Sequence, residues 1–326
     1  MPEAGNPSEE QITNPPESRE PEPVCESWRT FIQSLLVLFM VVATAIALRY
    51  SDALSGSDLK AELQQLRLQV QQLKQEQAMP AMVLARYRNS ICYIYGVYQV
   101  GYPEQAPALR ARLSGTGFLV AGGLLATNRH VAQPWYGDNE ADALIANGAV
   151  PQLEKLEAFF PGMATPVDVT PAVVASQGDL AVLRINKLPQ RIAELTPLSL
   201  ATKVPRPGEI VAVVGYPLGV TGMVAKSPNS VYQRLAYRRD DINTANELAA
   251  LSLIRPSATY GHLGDVVGDK LIYDAPTAHG GSGGPVFNAR GEVIGINSAF
   301  LDGFSGGTLG ISVDALRPLI TAAEKQ

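Results

Sequence analysis

A serine between glycines is the residue of this chain best suited to covalent chemistry. Ser282 stands in the run HGGSGGPVFN, directly after Gly280 and Gly281. A nucleophilic serine needs an exposed hydroxyl and backbone N–H groups that point at the oxyanion of a tetrahedral intermediate. Glycines permit such a turn because they have no Cβ atom. Taken alone, a stretch of this composition is more often an ordinary loop, so the motif needs partners.

Candidates for the base that would activate this serine are few, because the chain has 3 histidines. His130 follows the apolar run GGLLAT, at the end of an expected strand. His262 falls in an expected loop, and His279 is too close to the serine in sequence to act as its base. Asp179 begins the apolar run DLAVLRI, where a half-buried carboxylate would fix the imidazole tautomer. Each residue alone has an ordinary structural interpretation, but their roles agree with nucleophile, base and carboxylate.

Short apolar runs surround these residues and indicate a β-rich domain. From about residue 83 onward, runs such as EIVAVVGYP and KLIYDAP alternate with Gly, Pro, Asn and Asp. This texture is typical of a sandwich or barrel. ARGEV predicts a hairpin turn with Gly291 at positive φ. Residues 230–253 and 313–325 are expected to be helical instead, the second with Asp314 as its N-cap.

Composition excludes several other classes of protein. With 29 Gly and 24 Pro in 326 residues, the chain suits a turn-rich globular fold better than a helical bundle. Its net charge of -5, without a basic stripe, argues against a nucleic-acid partner. The two cysteines, Cys25 and Cys92, flank an apolar segment, so no disulfide framework is expected. These cysteines and the scattered histidines lack metal-site spacing, so neither a metal nor a cofactor is predicted.

The first 50 residues predict a tail and a membrane span. Residues 1–28 are rich in Pro, Glu, Ser and Asn, which is typical of a disordered tail. Residues 29–50 contain the uncharged run TFIQSLLVLFMVVATAIAL, which is long enough to cross a bilayer. A cleaved signal peptide and a buried helix are the alternatives, but a polar tail before a full-length span favours an uncleaved anchor. Arginines flank both ends, so charge does not decide the orientation.

Residues 57–78 carry a heptad pattern. One seam position holds Leu59, Leu66 and Leu73, and the other holds Leu63 and Val70. The alternating spacing of four and three predicts a coiled-coil stalk, and a neighbouring membrane anchor would raise the effective concentration of partners. A single amphipathic stalk that packs on the following domain is the alternative. Self-association into a homo-oligomer is favoured.

Several segments together resemble the HtrA (high-temperature requirement) and trypsin-like peptidases. They are TNRHV, DLAVLRI and GGSGGPVFNARGEVIGINSAF, with GTGFLV and GYPLG between or before them. The order His, Asp, Ser is the trypsin-like order. The resemblance covers about residues 83–320 and implies an all-β, trypsin-like double β-barrel with its active site between the barrels. The expected protease domain is 83–326, with barrels at about 83–187 and 207–313 and a C-terminal helix at 314–325.

The resemblance also implies site roles. By position, Ser282 is the nucleophile, His130 the base and Asp179 the carboxylate that orients it. The backbone N–H groups of Gly280 and Ser282 would form the oxyanion hole. Residues of one further strand would pair with the substrate backbone: Ser298, Ala299 and Phe300.

Substrate preference is expected to follow from the specificity pocket. Pro276, or a neighbour, occupies the position at the base of this pocket, where no acid stands. Cleavage after Lys or Arg is therefore not expected, and small aliphatic residues before the scissile bond are favoured.

The sequence departs from the family pattern in three ways. Gly281 stands where the family commonly has Asn, which predicts a more flexible turn. Residues 225–265 exceed the usual connection, and whether they form a lid, a partner surface or filler stays open. The chain ends soon after the protease domain, so regulation through a PDZ domain is not expected.

The expected function is a membrane-anchored serine endopeptidase that acts on unfolded or partner proteins. By analogy with the family, the tail would be cytoplasmic and the protease domain periplasmic or on an equivalent extracytoplasmic side. The alternative is a latent or inactive binding module or scaffold on a protease fold, opened by a partner through a population shift. A non-proteolytic acyl hydrolase is a third interpretation, but the strand–turn–helix setting of its nucleophile is missing.

Overall fold

The computed structural model of the chain describes residues 24–50, 56–300 and 307–326. The chain divides into two units, residues 1–70 and 71–326. Residues 1–23, which make up most of the predicted tail, lie outside the described residues.

Two long helices precede the strands. Helix α1 (Val24–Tyr50) contains a 20-residue apolar segment, Trp28–Ala47, with a mean hydropathy of 2.2 and no buried residue. This segment is long and apolar enough to cross a bilayer, although a signal sequence near the N-terminus passes the same test. Helix α2 (Gly56–Tyr87) includes the predicted coiled-coil segment and continues beyond it.

Six antiparallel strands close into a first barrel in the order β1-β2-β3-β6-β5-β4. Their bounds are β1 (Ile91–Gly101), β2 (Leu109–Val120), β3 (Leu124–Thr127), β4 (Val150–Phe159), β5 (Val167–Val174) and β6 (Ala181–Ile185). Strand β1 is buried on both faces because its alternate side chains enter different clusters. Cys92 and Ile94 belong to one cluster, whereas Ile91 and Tyr93 belong to a larger one that also includes residues of the second barrel.

A second barrel follows, in the order β10-β11-β12-β9-β8-β7. Its strands are β7 (Ile210–Gly215), β8 (Ser257–Val267), β9 (Lys270–Tyr273), β10 (Pro285–Asn288), β11 (Val293–Phe300) and β12 (Thr308–Ser312). The turn between β10 and β11 has Gly291 at φ 72°, as the run ARGEV predicts. His262 lies within β8, so its assignment to a loop was wrong. The glycines on either side of it concealed the strand pattern.

Short helices fill the connections between strands. They are α3 (Arg129–Ala132), α4 (Asn139–Ala146), α5 (Gln190–Ala193), α6 (Gly219–Ala225), α7 (Asn229–Leu235) and α8 (Asp241–Ala250), with α9 (Val313–Glu324) after the last strand. Helices α7 and α8 occupy the segment that the sequence predicts as helical. The N-cap of α9 is Ser312, whose hydroxyl accepts the N–H of Asp314 at 3.3 Å, so Asp314 lies in the first turn and is not the cap.

The fold prediction is therefore confirmed: two closed barrels of six strands with a C-terminal helix. Patterning alone indicated a sandwich or a barrel, and the resemblance to the HtrA and trypsin-like peptidases supplied the double barrel. Alternate residues of a strand such as β1 enter different apolar clusters.

Candidate active site

The ends of two paired strands bring His130 and Asp179 together. Strand β3 pairs with β6 through Thr127 and Ala181, so the residues just beyond these ends are neighbours. His130 lies in the single turn of α3, and its backbone N–H donates to Oδ1 of Asp179 at 2.9 Å. The imidazole Nδ1 lies 2.8 Å from Oδ2 of the same carboxylate. Because an ionised carboxylate only accepts, Nδ1 carries a proton, and in the neutral imidazole Nε2 is then an acceptor.

The carboxylate of Asp179 is held in its charged form. Burial raises the pKa of this carboxyl, but the hydrogen bonds and charge of His130 and the hydrogen bond from Ser298 outweigh burial. The pKa of Asp179 is therefore lower than its ordinary value. An ionised carboxylate at this position fixes the imidazole orientation and would stabilise an imidazolium.

Ser298, on β11, connects this pair with Ser282. Its hydroxyl donates to Oδ2 of Asp179 at 2.7 Å, and its carbonyl accepts the Ser282 hydroxyl at 2.9 Å. The structure thus brings together four of the residues that the sequence singles out. In this arrangement the Ser282 hydroxyl donates to the backbone of β11 and not to the imidazole of His130.

The turn before Ser282 presents backbone N–H groups to the site. Gly280 has φ 90°, a conformation that favours glycine. The carbonyl of His279 accepts the N–H of Leu218 at 2.7 Å. Because a trans peptide points its C=O and N–H in opposite directions, this bond directs the Gly280 N–H away from Leu218. Among the described residues, no intramolecular acceptor is found for the N–H of Gly280 or Ser282.

Gly281 is held at both of its backbone groups. Its N–H donates to the Ala278 carbonyl at 2.9 Å, and its carbonyl accepts from Nδ2 of Asn297 at 2.9 Å. The buried Tyr273 hydroxyl donates to Oδ1 of Asn297 at 2.8 Å, and burial raises the pKa of this phenol well above its ordinary value, so it stays a donor. A Cβ atom at Gly281 would lie 2.5 Å from Oγ1 of Thr277. The turn is thus fixed by hydrogen bonds, which limits the flexibility that a glycine predicts.

Comparison with known proteins places this site in a family. A model described as the trypsin-like peptidase domain matches residues 115–296 of the chain. The chain belongs to the trypsin-like peptidase domain family. The matched span begins on β2 and ends on β11, so it includes strands of both barrels and the residues around Ser282, while β1 and β12 lie outside it.

Relatives of this trypsin-like peptidase domain include curated bacterial proteases. The probable periplasmic serine endoprotease DegP-like of Rhizobium meliloti (strain 1021) is 32% identical over 213 residues, which are 64% of this chain and 32% of that protein. Serine protease PepD of Mycobacterium tuberculosis is 31% identical over 189 residues, 57% of this chain and 33% of that protein. The chain thus spans about a third of the length of these relatives. The crystal structure of the serine endoprotease from Yersinia pestis matches with a TM-score of 0.49 and 18% identity, covering 76% of this chain and 66% of that one.

The other predicted site residues fall at different places in this peptidase domain. Pro276 is exposed in the segment between β9 and β10, and its carbonyl accepts the Thr259 hydroxyl at 2.7 Å. Ala299 and Phe300 end strand β11, where their backbones pair with Leu309 and Thr308 of β12. Their side chains lie outside the described part of the structure.

Three buried polar residues at the site were not singled out from the sequence. Nδ2 of Asn128 donates to the Asp179 carbonyl at 2.8 Å, and Nδ2 of Asn297 donates to the Gly281 carbonyl. Thr116 donates to the carbonyls of Gly280 and Ser282. Each is adjacent to or within a quoted motif, TNRHV, GINSAF or GTGFLV. Their signal was a small polar residue inside an otherwise apolar segment, since a buried polar group needs a partner.

Proposed function

We propose that this chain is a serine endopeptidase in which Ser282 is the nucleophile, His130 the general base and Asp179 the carboxylate that orients the base. The backbone N–H groups of Gly280 and Ser282 form the oxyanion hole. Ser282 Oγ attacks the scissile carbonyl while Nε2 of His130 takes its proton. The imidazolium then protonates the leaving amine, and water hydrolyses the acyl-enzyme by the same base.

The observation that carries this proposal is the hydrogen-bonded set around Asp179. Its carboxylate accepts hydrogen bonds from the His130 ring and from the Ser298 hydroxyl. The backbone carbonyl of Ser298 in turn accepts the Ser282 hydroxyl. The nearby N–H groups of Gly280 and Ser282 have no acceptor among the described residues, as an oxyanion hole requires.

One observation favours the alternative of a latent site. The Ser282 hydroxyl donates to the Ser298 carbonyl at 2.9 Å, so attack requires the side chain to turn toward His130. We propose that the extended backbone of Ser298, Ala299 and Phe300 pairs with the substrate and that the serine reorients when the substrate binds. If a partner controls this reorientation, the protein is a gated protease. If the serine does not reorient, the protein is a binding scaffold on a protease fold.

Substrate and location follow from the same site and its relatives. We propose that protein or peptide substrates with a small aliphatic residue before the scissile bond are cleaved, because Pro276 brings no acid to the pocket. Efficient cleavage after Arg would contradict this preference. Helix α1 would anchor the protein in a membrane, with the protease domain on the extracytoplasmic side, since the Rhizobium relative is described as periplasmic.

Labelling with a fluorophosphonate probe tests the proposal directly. The full chain in detergent is compared with Ser282→Ala and His130→Ala, with Ser227→Ala as a control because that serine lies in the short connection after α6. We expect labelling of the wild type and the control, and none of the other two variants. A folded wild-type sample that stays unlabelled both in detergent and in membranes would contradict an active site and favour the scaffold.

A further inference from the structure

A stripe of apolar side chains along α2 is exposed in the single chain. Leu63, Leu66, Val70 and Leu73 are 48%, 49%, 49% and 57% exposed. They stand three and four residues apart, so they share one face of the helix. Half-exposed leucines in a continuous row indicate a surface that is covered by another helix.

The same helix is covered by its own chain further along. Three apolar side chains near its C-terminal end are fully buried: Met79, Val83 and Tyr87. These residues do not continue the heptad seam, whose next positions would be 77, 80 and 84. The seam therefore has no partner among the described residues, whereas the end of the helix already has one.

The charged residues beside the seam are segregated by sign. If Leu66 and Leu73 are at position d of the heptad, the e positions are all cationic: Lys60, Arg67 and Lys74. The g positions hold the acidic or neutral residues Glu62, Gln69 and Glu76. Among the described residues of α2, no salt bridge joins these charges to one another.

This charge order selects the direction of a partner helix. Between parallel helices, each g residue faces the e residue five positions later on the other strand, so Glu62 meets Arg67 of the second copy and Gln69 meets Lys74. Between antiparallel helices, e faces e and g faces g, so cations would meet cations and acids would meet acids. Five residues is also the wrong spacing for Glu62 and Arg67 to pair within one helix, which needs three or four.

We propose that residues 59–77 of α2 form a parallel, two-stranded coiled coil with a second copy of this chain. Leu at every d position, with Val70 at one a position, favours two strands. The seam ends at the polar a residue Gln77, shortly before Pro80 removes a backbone N–H from the helix. A short seam of this length is marginal alone, and anchoring both copies by α1 in one membrane would hold them in the same direction. The proposal is independent of the protease activity.

Cysteine cross-linking in membranes tests the pairing and its direction. The full chain carries Ser282→Ala, so that catalysis cannot affect the outcome, and Cys25→Ser; Cys92 stays because it is fully buried, and burial raises the pKa of its thiol to about 12. Leu73→Cys at position d is compared with Leu68→Cys on the outer face, where the native side chains are similarly exposed at 57% and 62%. We expect mild oxidation to give a disulfide dimer of the first variant and not of the second.

Cross-linking of the two cysteine variants distinguishes a parallel pair from an antiparallel pair and from random collision. In an antiparallel pair centred on the seam, Leu73 lies opposite the other end of the helix, so that variant would not cross-link to itself. Equal cross-linking of the two variants would indicate random collision and would also overturn the proposal.

Charge exchange provides a second, matched test in the Leu73→Cys chain. Arg67→Glu places an acid opposite Glu62 of the other copy, and this happens twice because the pair is symmetric. We expect cross-linking to slow about tenfold. Adding Glu62→Lys restores opposite charges between parallel copies, and the rate should return to that of the parent. Failure of the double variant to recover, with unchanged circular dichroism, would contradict the pairing. Light scattering of the full chain in detergent should give a dimer, and a trimer would refute the two-stranded assembly.

Discussion

At the scale of the residue, the candidate site is organised by Asp179. Its carboxylate accepts three hydrogen bonds: the His130 ring, the His130 backbone N–H and the Ser298 hydroxyl. These contacts explain why its pKa lies below the ordinary value although burial alone would raise it. The carboxylate thus fixes the orientation of the His130 ring and contributes to the stability of the fold.

This contribution predicts a specific dependence of stability on pH. Because the pKa of Asp179 is lower in the folded state, its carboxylate stabilises the fold above the ordinary value of 3.8, and the stabilisation is lost as pH falls through the folded-state pKa. Asp179→Asn should therefore lower the free energy of unfolding by about 2 kcal/mol at pH 7 and by much less at pH 2. Thermal melting of the full chain in detergent measures both. Asp168→Asn, at an exposed position of β5, is the control and should leave the free energy of unfolding unchanged at both pH values. If Asp179→Asn lowered this free energy equally at pH 7 and pH 2, the lowered pKa of Asp179 would be contradicted.

The sequence identified those residues of the candidate site whose side chains are of a type that can take part in catalysis. His130, Asp179 and Ser282 could be selected because few histidines are available and the serine lies between glycines. The hydroxyl contact of Ser298 with the carboxylate could not be predicted, because the two residues are 119 positions apart and meet only in the folded chain.

At the scale of the element, the turn between β9 and β10 depends on close packing. Gly283 has φ 86°, its N–H donates to the Asn297 carbonyl at 2.8 Å, and an added Cβ atom would lie 2.0 Å from the Thr116 carbonyl. Gly178, just before Asp179, has nearly the same φ of 85°, but its Cβ atom would meet nothing within 4 Å. Substitution of Gly178 therefore measures the free-energy cost of placing a side chain at positive φ, and substitution of Gly283 adds the cost of the steric contact with Thr116.

This pair predicts different outcomes for the same substitution. Gly178→Ala should lower the free energy of unfolding by about 1 kcal/mol, which is the cost of a left-handed conformation. Gly283→Ala should cost about 3 kcal/mol or more, because a backbone carbonyl of the other barrel cannot move aside cheaply, and fluorophosphonate labelling should be lost with it. Denaturant titration and probe labelling measure the two effects. Equal losses of stability would show that the contact with Thr116 does not constrain the turn.

Elements were predictable where a pattern repeats and less so at their ends. The strands follow from alternation of apolar residues, and the helical insertion from its absence. The cap of α9 was misassigned because Ser312 and Asp314 are both good capping residues, and only the hydrogen bond of the Ser312 hydroxyl distinguishes them. The short helix α3 that carries His130 has a single turn, too few residues for any periodicity to appear.

At the scale of the whole molecule, one buried threonine joins the two barrels at the site. Thr116 belongs to β2 of the first barrel and is fully buried. Its hydroxyl donates to the Gly280 carbonyl at 2.7 Å and accepts the Tyr216 N–H at 3.1 Å. Gly280 and Tyr216 both lie in segments that follow strands of the second barrel. Its backbone N–H donates to the Ser282 carbonyl at 2.8 Å. No sequence pattern indicates this junction, since it depends on how two separately closed barrels meet.

Replacing this threonine should therefore uncouple the turn at Ser282 from the first barrel. Thr116→Val keeps the volume but removes the hydroxyl, leaving the Gly280 carbonyl and the Tyr216 N–H buried without their partner. We expect a loss of about 3 kcal/mol in the free energy of unfolding and a much slower reaction with a fluorophosphonate, because the turn that carries the proposed oxyanion hole is no longer fixed. Thr116→Ser keeps the hydroxyl and should retain labelling close to the wild-type rate, with only the small loss of a buried methyl group. If the valine variant were labelled as fast as the serine variant, the second barrel would position Ser282 without the first, and the hydroxyl of Thr116 would contribute to stability alone.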